Sequence, residues 1–141
     1  QESGVKVYGE QRGSAVGDFD RDGRVDLVVS QNGGETKLYR NEGGKVGLRV
    51  RLKGTKENPE GVGAVMRVGD GKGKWGAARE VHGGSGYWSM DSVVQVLSRE
   101  GAGGGKLSVR WPGSVKWVES EVPVGAREVA VHPDGRVETI R

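Results

Sequence analysis

Cysteine is missing from this chain, phenylalanine occurs once, methionine twice and proline four times. Without cysteine there is no disulfide, no thiol nucleophile and no Cys-type zinc site. That leaves the compartment open, because modules outside the cell can be stapled by other means. No apolar run approaches 18 residues, so no helical membrane span is expected. Hydrophobic residues make up 33% and aromatics 6%. The charged residues, 29% of the chain, are interspersed with β-branched ones, which favours a folded domain over disorder. The formal net charge of +3 is too small to imply a nucleic-acid partner. It is divided as −1 over residues 1–46 and +4 over the remainder, and no basic run carries the interleaved aromatics of a nucleic-acid groove. The chain starts at Gln1 with no signal peptide and is expected to be a mature or excised piece of a longer product.

What is abundant is glycine, 27 of 141 residues. Each interior glycine costs a helix about 1 kcal/mol relative to alanine, so long helices are disfavoured. Short strands joined by tight turns fit better. Over residues 1–46 the pattern predicts strands at 5–8, 14–17, 25–30 and 36–40, with a turn at Gln31-Asn32-Gly33-Gly34. Four such strands match one propeller blade in size. From Leu48 to Leu52 apolar residues and arginines alternate strictly. Further strands are predicted at 64–68, 74–81, 93–97, 107–111, 115–118, 127–131 and 137–140, a set that suits a sandwich or small barrel. The fold class read from the sequence is therefore all-β. It comprises one propeller-type antiparallel blade over 1–46, joined to a small β-sandwich or barrel domain over 47–141.

The run from Asp18 to Asp26 carries the most chemistry. Acidic side chains stand at its positions 1, 3, 5 and 9, with Gly23 at position 6. Calcium takes six to eight oxygens at about 2.3–2.6 Å. Carboxylates at Asp18, Asp20 and Asp22 can converge on one point, and Gly23 permits the turn that follows. The carbonyl of Arg24 and the side chain of Asp26 can then complete the sphere. Without a cation, two like charges at 4 Å cost on the order of 4 kcal/mol at an effective dielectric of 20. Arg21 and Arg24 offset only part of that. This is not an EF-hand, because position 12 is Val29 rather than a bidentate Glu, and the flanking segments read as strands. The same Asp-Gly-Arg-Val step recurs at Asp134–Val137, but the earlier ligand positions there are Ala130 and His132, so a hairpin turn is the better reading.

Two resemblances cover nearly the whole chain. Ala15–Asp18 through Asp26–Val29, followed by Leu38-Tyr39-Arg40-Asn41, resembles the FG-GAP/VCBS repeat of integrin-like propellers. That family's calcium loop has every acidic position found here. Residues Leu48–Thr55, Asn58, Gly61–Ala64, Gly83–Tyr87 and Val109–Pro112 resemble the ASPIC/UnbV domain, although Val94–Ser98 departs from the segment usual in that family. The resemblance implies a secreted, cell-surface or periplasmic protein with upstream propeller blades. It implies a non-catalytic calcium-binding module, with the ion as a structural staple, serving adhesion or protein interaction. Alternatives are a carbohydrate- or matrix-binding module and an accessory domain of a larger enzyme.

The remaining motifs are weaker. His82-Gly83-Gly84 looks like an esterase oxyanion strand, but Ser85 lies outside the Gly-x-Ser-x-Gly pattern, and only His82 and His132 could serve as base. Gly71-Lys72-Gly73-Lys74 lacks the remaining P-loop residues and reads as a hairpin tip. Of the tryptophans, Trp111 is expected in the core, while Trp75 and Trp88, beside glycine turns, are the candidates for an exposed sugar-stacking surface. Arg49, Arg51, Arg67, Arg79 and Arg110 are expected on solvated sheet faces.

Overall fold

The structure, a computed structural model, describes residues 3–99 and 104–140. It is built of strands with no helix among the described residues. The first three strands, β1 (Gln11–Gly17), β2 (Asp26–Gln31) and β3 (Lys37–Tyr39), form one antiparallel sheet in chain order. Eight more follow: β4 (Leu48–Leu52), β5 (Val65–Gly69), β6 (Arg79–Glu80), β7 (Gln95–Leu97), β8 (Gly105–Arg110), β9 (Val118–Val122), β10 (Glu128–Val131) and β11 (Val137–Thr139). They divide into two four-stranded sheets, ordered β11-β10-β4-β7 and β6-β5-β8-β9. Among the described residues no sheet closes into a barrel.

One hydrophobic core lies between these two sheets. Leu48, Val50 and Leu52 of β4, with Val129 and Val131 of β10 and Leu97 of β7, meet Met66 and Val68 of β5, Leu107 and Val109 of β8 and Val122 of β9. The apolar members of each strand are two residues apart because successive side chains point to opposite faces. Fully burying such a side chain contributes about 1.5–3 kcal/mol. The three-stranded sheet contributes only Val29 to the buried apolar set, while Val16 and Leu38 stay exposed.

That first sheet is attached to the rest at two places. Along the β1 edge, Val16 N–H donates to the Asp91 carboxylate at 2.8 Å, and Ser92 N–H donates to the Val16 carbonyl at 2.9 Å. At its end, the loop between β1 and β2 meets the linker to β4, where Gly47 N–H donates to the Gly23 carbonyl at 2.8 Å.

Several expected strands moved. Residues 5–8 make no strand, so the first sheet has three strands rather than the four expected of a blade. The 74–81 segment shrinks to Arg79–Glu80 plus a single bridge between Gly69 and Trp75, since Gly71 and Gly73 sit at positive φ and the return is a wide turn. The 115–118 strand falls at 118–122, because residues 112–114 form a turn and Ser114 bonds back to Trp111. β4 and β10 pair in parallel, an arrangement no hairpin can make. Residues 101–103 of the glycine-rich stretch lie outside the described residues.

Candidate metal centre

The loop between β1 and β2 is closed by its own carboxylates. Asp18 Oδ1 accepts Asp22 N–H at 3.0 Å, and Asp18 Oδ2 accepts Gly23 N–H at 2.8 Å. Asp20 Oδ1 accepts Asp22 N–H at 3.2 Å, and Asp22 Oδ1 accepts Arg24 N–H at 2.8 Å. These bonds satisfy backbone donors that the turn leaves without strand partners. The turn passes through the left-handed region at Arg21 (φ 61°) and Gly23 (φ 86°). Gly23 is required twice over: a Cβ there would also lie 2.8 Å from Val46 Cγ1.

The carboxylates of Asp18, Asp20 and Asp22 each present an oxygen within 4.8 Å of the others. Asp18 is buried, Asp22 half-buried and Asp20 exposed. An all-carboxylate set at this spacing suits a hard dication, whose opposed ligands sit about 4.6–5.2 Å apart. Asp26 does not join that group. Its two oxygens accept Phe19 N–H at 3.1 Å and Asn41 N–H at 2.8 Å, tying both ends of the loop to the segment after β3.

Guanidinium groups meet the loop from three directions. Arg24 Nη1 pairs with Asp22 Oδ2 at 2.8 Å, while its Nε donates to the Gly44 carbonyl at 2.7 Å. Arg40 Nε pairs with Asp20 Oδ2 at 2.6 Å, and its Nη2 lies 3.6 Å from Asp22 Oδ2. Desolvation acts to raise the Asp22 carboxyl. The Arg24 backbone and side-chain hydrogen bonds, with the charges of Arg24 and Arg40, outweigh it and hold the group below its usual range.

The third arginine comes from the sandwich. Arg49 of β4 is 5% exposed. Its Nη1 lies 2.6 Å from Asp18 Oδ2 and 3.1 Å from the Asp18 carbonyl, and its Nε lies 2.9 Å from Glu128 Oε2. Glu128 is the residue opposite Arg49 in the parallel pairing of β4 and β10, and Arg51 stands 3.6 Å from its other oxygen. Burial acts to raise Glu128. The hydrogen bond and charge of Arg49, then Arg51 and Arg21, outweigh it and hold the carboxyl below its usual range. A buried Asp18–Arg49–Glu128 bridge thus joins the loop to the second sheet. Neither Arg49 nor Glu128 stands out in the sequence. Arg49 reads as the polar face of an amphipathic strand, and no local signal shows that the loop covers that face.

The other residues singled out from the sequence scatter. Trp111 packs against the core, in step with Leu107 and Val109. Trp75 is half-buried rather than open. The Arg67 guanidinium lies 4.6 Å from its ring centroid and 4.4 Å from that of Trp117, with Arg110 at 5.7 Å on Trp117. The arginines expected on solvated sheet faces are largely engaged instead: Arg49 and Arg51 turn to Glu128, while Arg67 and Arg110 stack on tryptophan in the other sheet. Trp88 is fully displayed at 88% exposure. His82 lies 3.8 Å from Glu80, His132 lies 3.1 Å from Glu138, and Ser85 Oγ accepts Asp91 N–H. No hydrogen bond joins Ser85 to either histidine among the described residues. Gly71–Lys74 forms a turn around Asp70, whose carboxylate accepts Lys72 and Lys74 N–H at 2.7 and 3.1 Å. Set against known proteins, the chain matches no family model, no curated protein and no solved structure.

Proposed function

We propose that this chain is a non-catalytic calcium-binding module of a secreted or cell-surface protein, serving adhesion or protein interaction. The observation that carries the reading is the convergence of Asp18, Asp20 and Asp22 within 4.8 Å on a loop between two strands. In this reading Asp18, Asp20 and Asp22 hold the ion and the Arg24 carbonyl completes the site, while Asp26, expected from the sequence as a further ligand, instead accepts Phe19 and Asn41 N–H and fixes the loop. When bound, the ion supplies two positive charges that relieve carboxylate repulsion. The residues around it do the positioning. Asp18 is pinned by Arg49 to the sandwich, and Asp26 pins the loop ends to Asn41 after β3. Order in the loop therefore passes to the contact between the first sheet and the other two. The resemblance to FG-GAP/VCBS and ASPIC/UnbV segments supports this setting, and with it a blade over 1–46 and a C-terminal β domain over 47–141.

The test is thermal unfolding with calcium and with chelator. At a hundredfold excess over Kd, a ligand that binds only the folded state adds about 2.7 kcal/mol. For a chain of this size the melting temperature is expected to rise by on the order of 10 °C. Asp20→Ala is expected to lose that rise and to melt within a few degrees of wild type in chelator. Identical wild-type melts in calcium and chelator would remove the proposal.

A further inference from the structure

The turn at Gly86–Ser89 is a strained element far from the core. Gly86 and Ser89 bridge each other, leaving Tyr87 and Trp88 at the tip. Trp88 adopts φ 51°, a region that bulky residues rarely occupy. Backbone strain of this kind collects where a ligand is held. The same two residues are among the most exposed large side chains of the chain, Trp88 at 88% and Tyr87 at 68%. Their rings lie 6.0 Å apart with a 34° tilt.

The turn does not dangle. Ser85 N–H donates to the Ser89 carbonyl at 3.2 Å, and Asp91 N–H donates to Ser85 Oγ at 2.8 Å. Asp91 in turn accepts Val16 N–H, which fastens the turn to the β1 edge. Gly13 of β1 lets it sit close, since a Cβ there would lie 2.9 Å from the Tyr87 carbonyl oxygen. The backbone that carries the two rings is therefore fastened to β1.

A shallow groove of about 610 Å³ runs between the turn and the first sheet, lined by Tyr87 with Trp88 outside it at the tip. Its lining is Tyr87, the apolar Leu27 and Val29, and the neutral polar groups Gln11, Ser14 and Ser89, among others. The one charged side chain of the lining, Arg12, is paired with Glu10 at 3.2 Å. Rings and hydroxyl or amide groups without free charge match a sugar, whose ring has an apolar C–H face and a hydroxyl edge. A volume of this size falls in the range of small-ligand sites. Two aromatic side chains cover at most about 500 Å², short of the roughly 800 Å² per partner of a stable protein interface.

We propose that the Tyr87–Trp88 turn and the adjoining groove bind a neutral glycan chain. The rings stack on successive sugars, and Gln11, Ser14 and Ser89 bond their hydroxyls. The site is separate from the acidic loop, and its test does not depend on calcium.

The experiment is affinity electrophoresis of the intact chain in gels containing soluble xyloglucan, galactomannan, arabinoxylan or mixed-linkage β-glucan, with heparin as the anionic control. At least one neutral polymer is expected to retard wild type more than heparin does. Trp88→Gly separates binding from folding. Glycine adopts this backbone freely, so the variant is expected to melt a few degrees higher than wild type while its affinity falls at least tenfold. Tyr87→Ala is expected to weaken binding severalfold. Absence of retardation by every neutral polymer would overturn the proposal. So would a Trp88→Gly variant that binds like wild type, or one that melts lower, which would make the ring a structural element. Concentration-dependent sedimentation lost in Trp88→Gly, without retardation, would assign the rings to a second copy of the chain and overturn it likewise.

Discussion

Arg49→Met is expected to destabilise the fold by about 3–5 kcal/mol, read as a lowered urea midpoint with an unchanged slope. The substitution keeps most of the side-chain volume and removes only the charge. Two carboxylates then lose their partner in a buried place. Glu128 is left with the half-buried Arg51 and the weaker charge of Arg21, and Asp18 keeps only its backbone donors. Orphaning a buried charge costs far more than the net worth of the pair, because the desolvation of the remaining group is no longer repaid. The double variant Arg49→Met/Glu128→Leu is therefore expected to recover at least half of the loss. A single variant within 1 kcal/mol of wild type would show that the bridge is not buried in solution.

The same bridge sets a pH dependence with a defined sign. The folded Glu128 carboxyl titrates below the ordinary glutamate value of about 4.3, so its contribution is complete above that value. It is lost as pH falls through the depressed folded value. In Arg49→Met the sign reverses, since burial without its main partner pushes Glu128 up. The gap between variant and wild type is expected to narrow as pH falls from the raised variant value to the depressed wild-type value, below which both carry a protonated Glu128.

Leu107→Ala is expected to cost about 2–5 kcal/mol, whereas Leu38→Ala stays within about 0.5 kcal/mol of wild type. Leu107 is fully buried between the two four-stranded sheets, and truncation there leaves a cavity ringed by side chains from both. Leu38 belongs to the first sheet and is 52% exposed. Urea unfolding of the pair measures where the stability of this chain resides. Equal losses would mean that the first sheet buries its apolar face against something in solution.

The all-β class and most strand centres were legible because alternation is a local signal. Leu48–Leu52 and Leu107–Val109 carry it within five residues, and Pro133-Asp134-Gly135 marks its own hairpin, with Gly135 at φ 87°. The convergence of Asp18, Asp20 and Asp22 was legible for the same reason, since all the spacing lies in one loop. What escaped is non-local. Nothing near Arg49 announces Glu128, which stands 79 residues away. Nothing in the 5–8 segment shows that it stays out of the sheet beside β3. Trp75 sits beside glycines, which suggested exposure, but Arg67 reaches it from the preceding strand.

The parallel register of β4 against β10 also bears on how the chain reaches this structure. Closing a contact between residues 79 apart costs about 4 kcal/mol of chain entropy by the logarithmic loop law. No hairpin can seed it, so β4 must wait with one edge bare until residues 128–131 have been made and delivered. Folding is thus expected to be slow, on the millisecond-to-second scale of non-local β topologies. On the ribosome the first sheet can close early, while the sandwich stays unfinished until residues 128–131 have emerged. The unpaired edge of β4 is then the stretch most open to mispairing with a neighbouring chain.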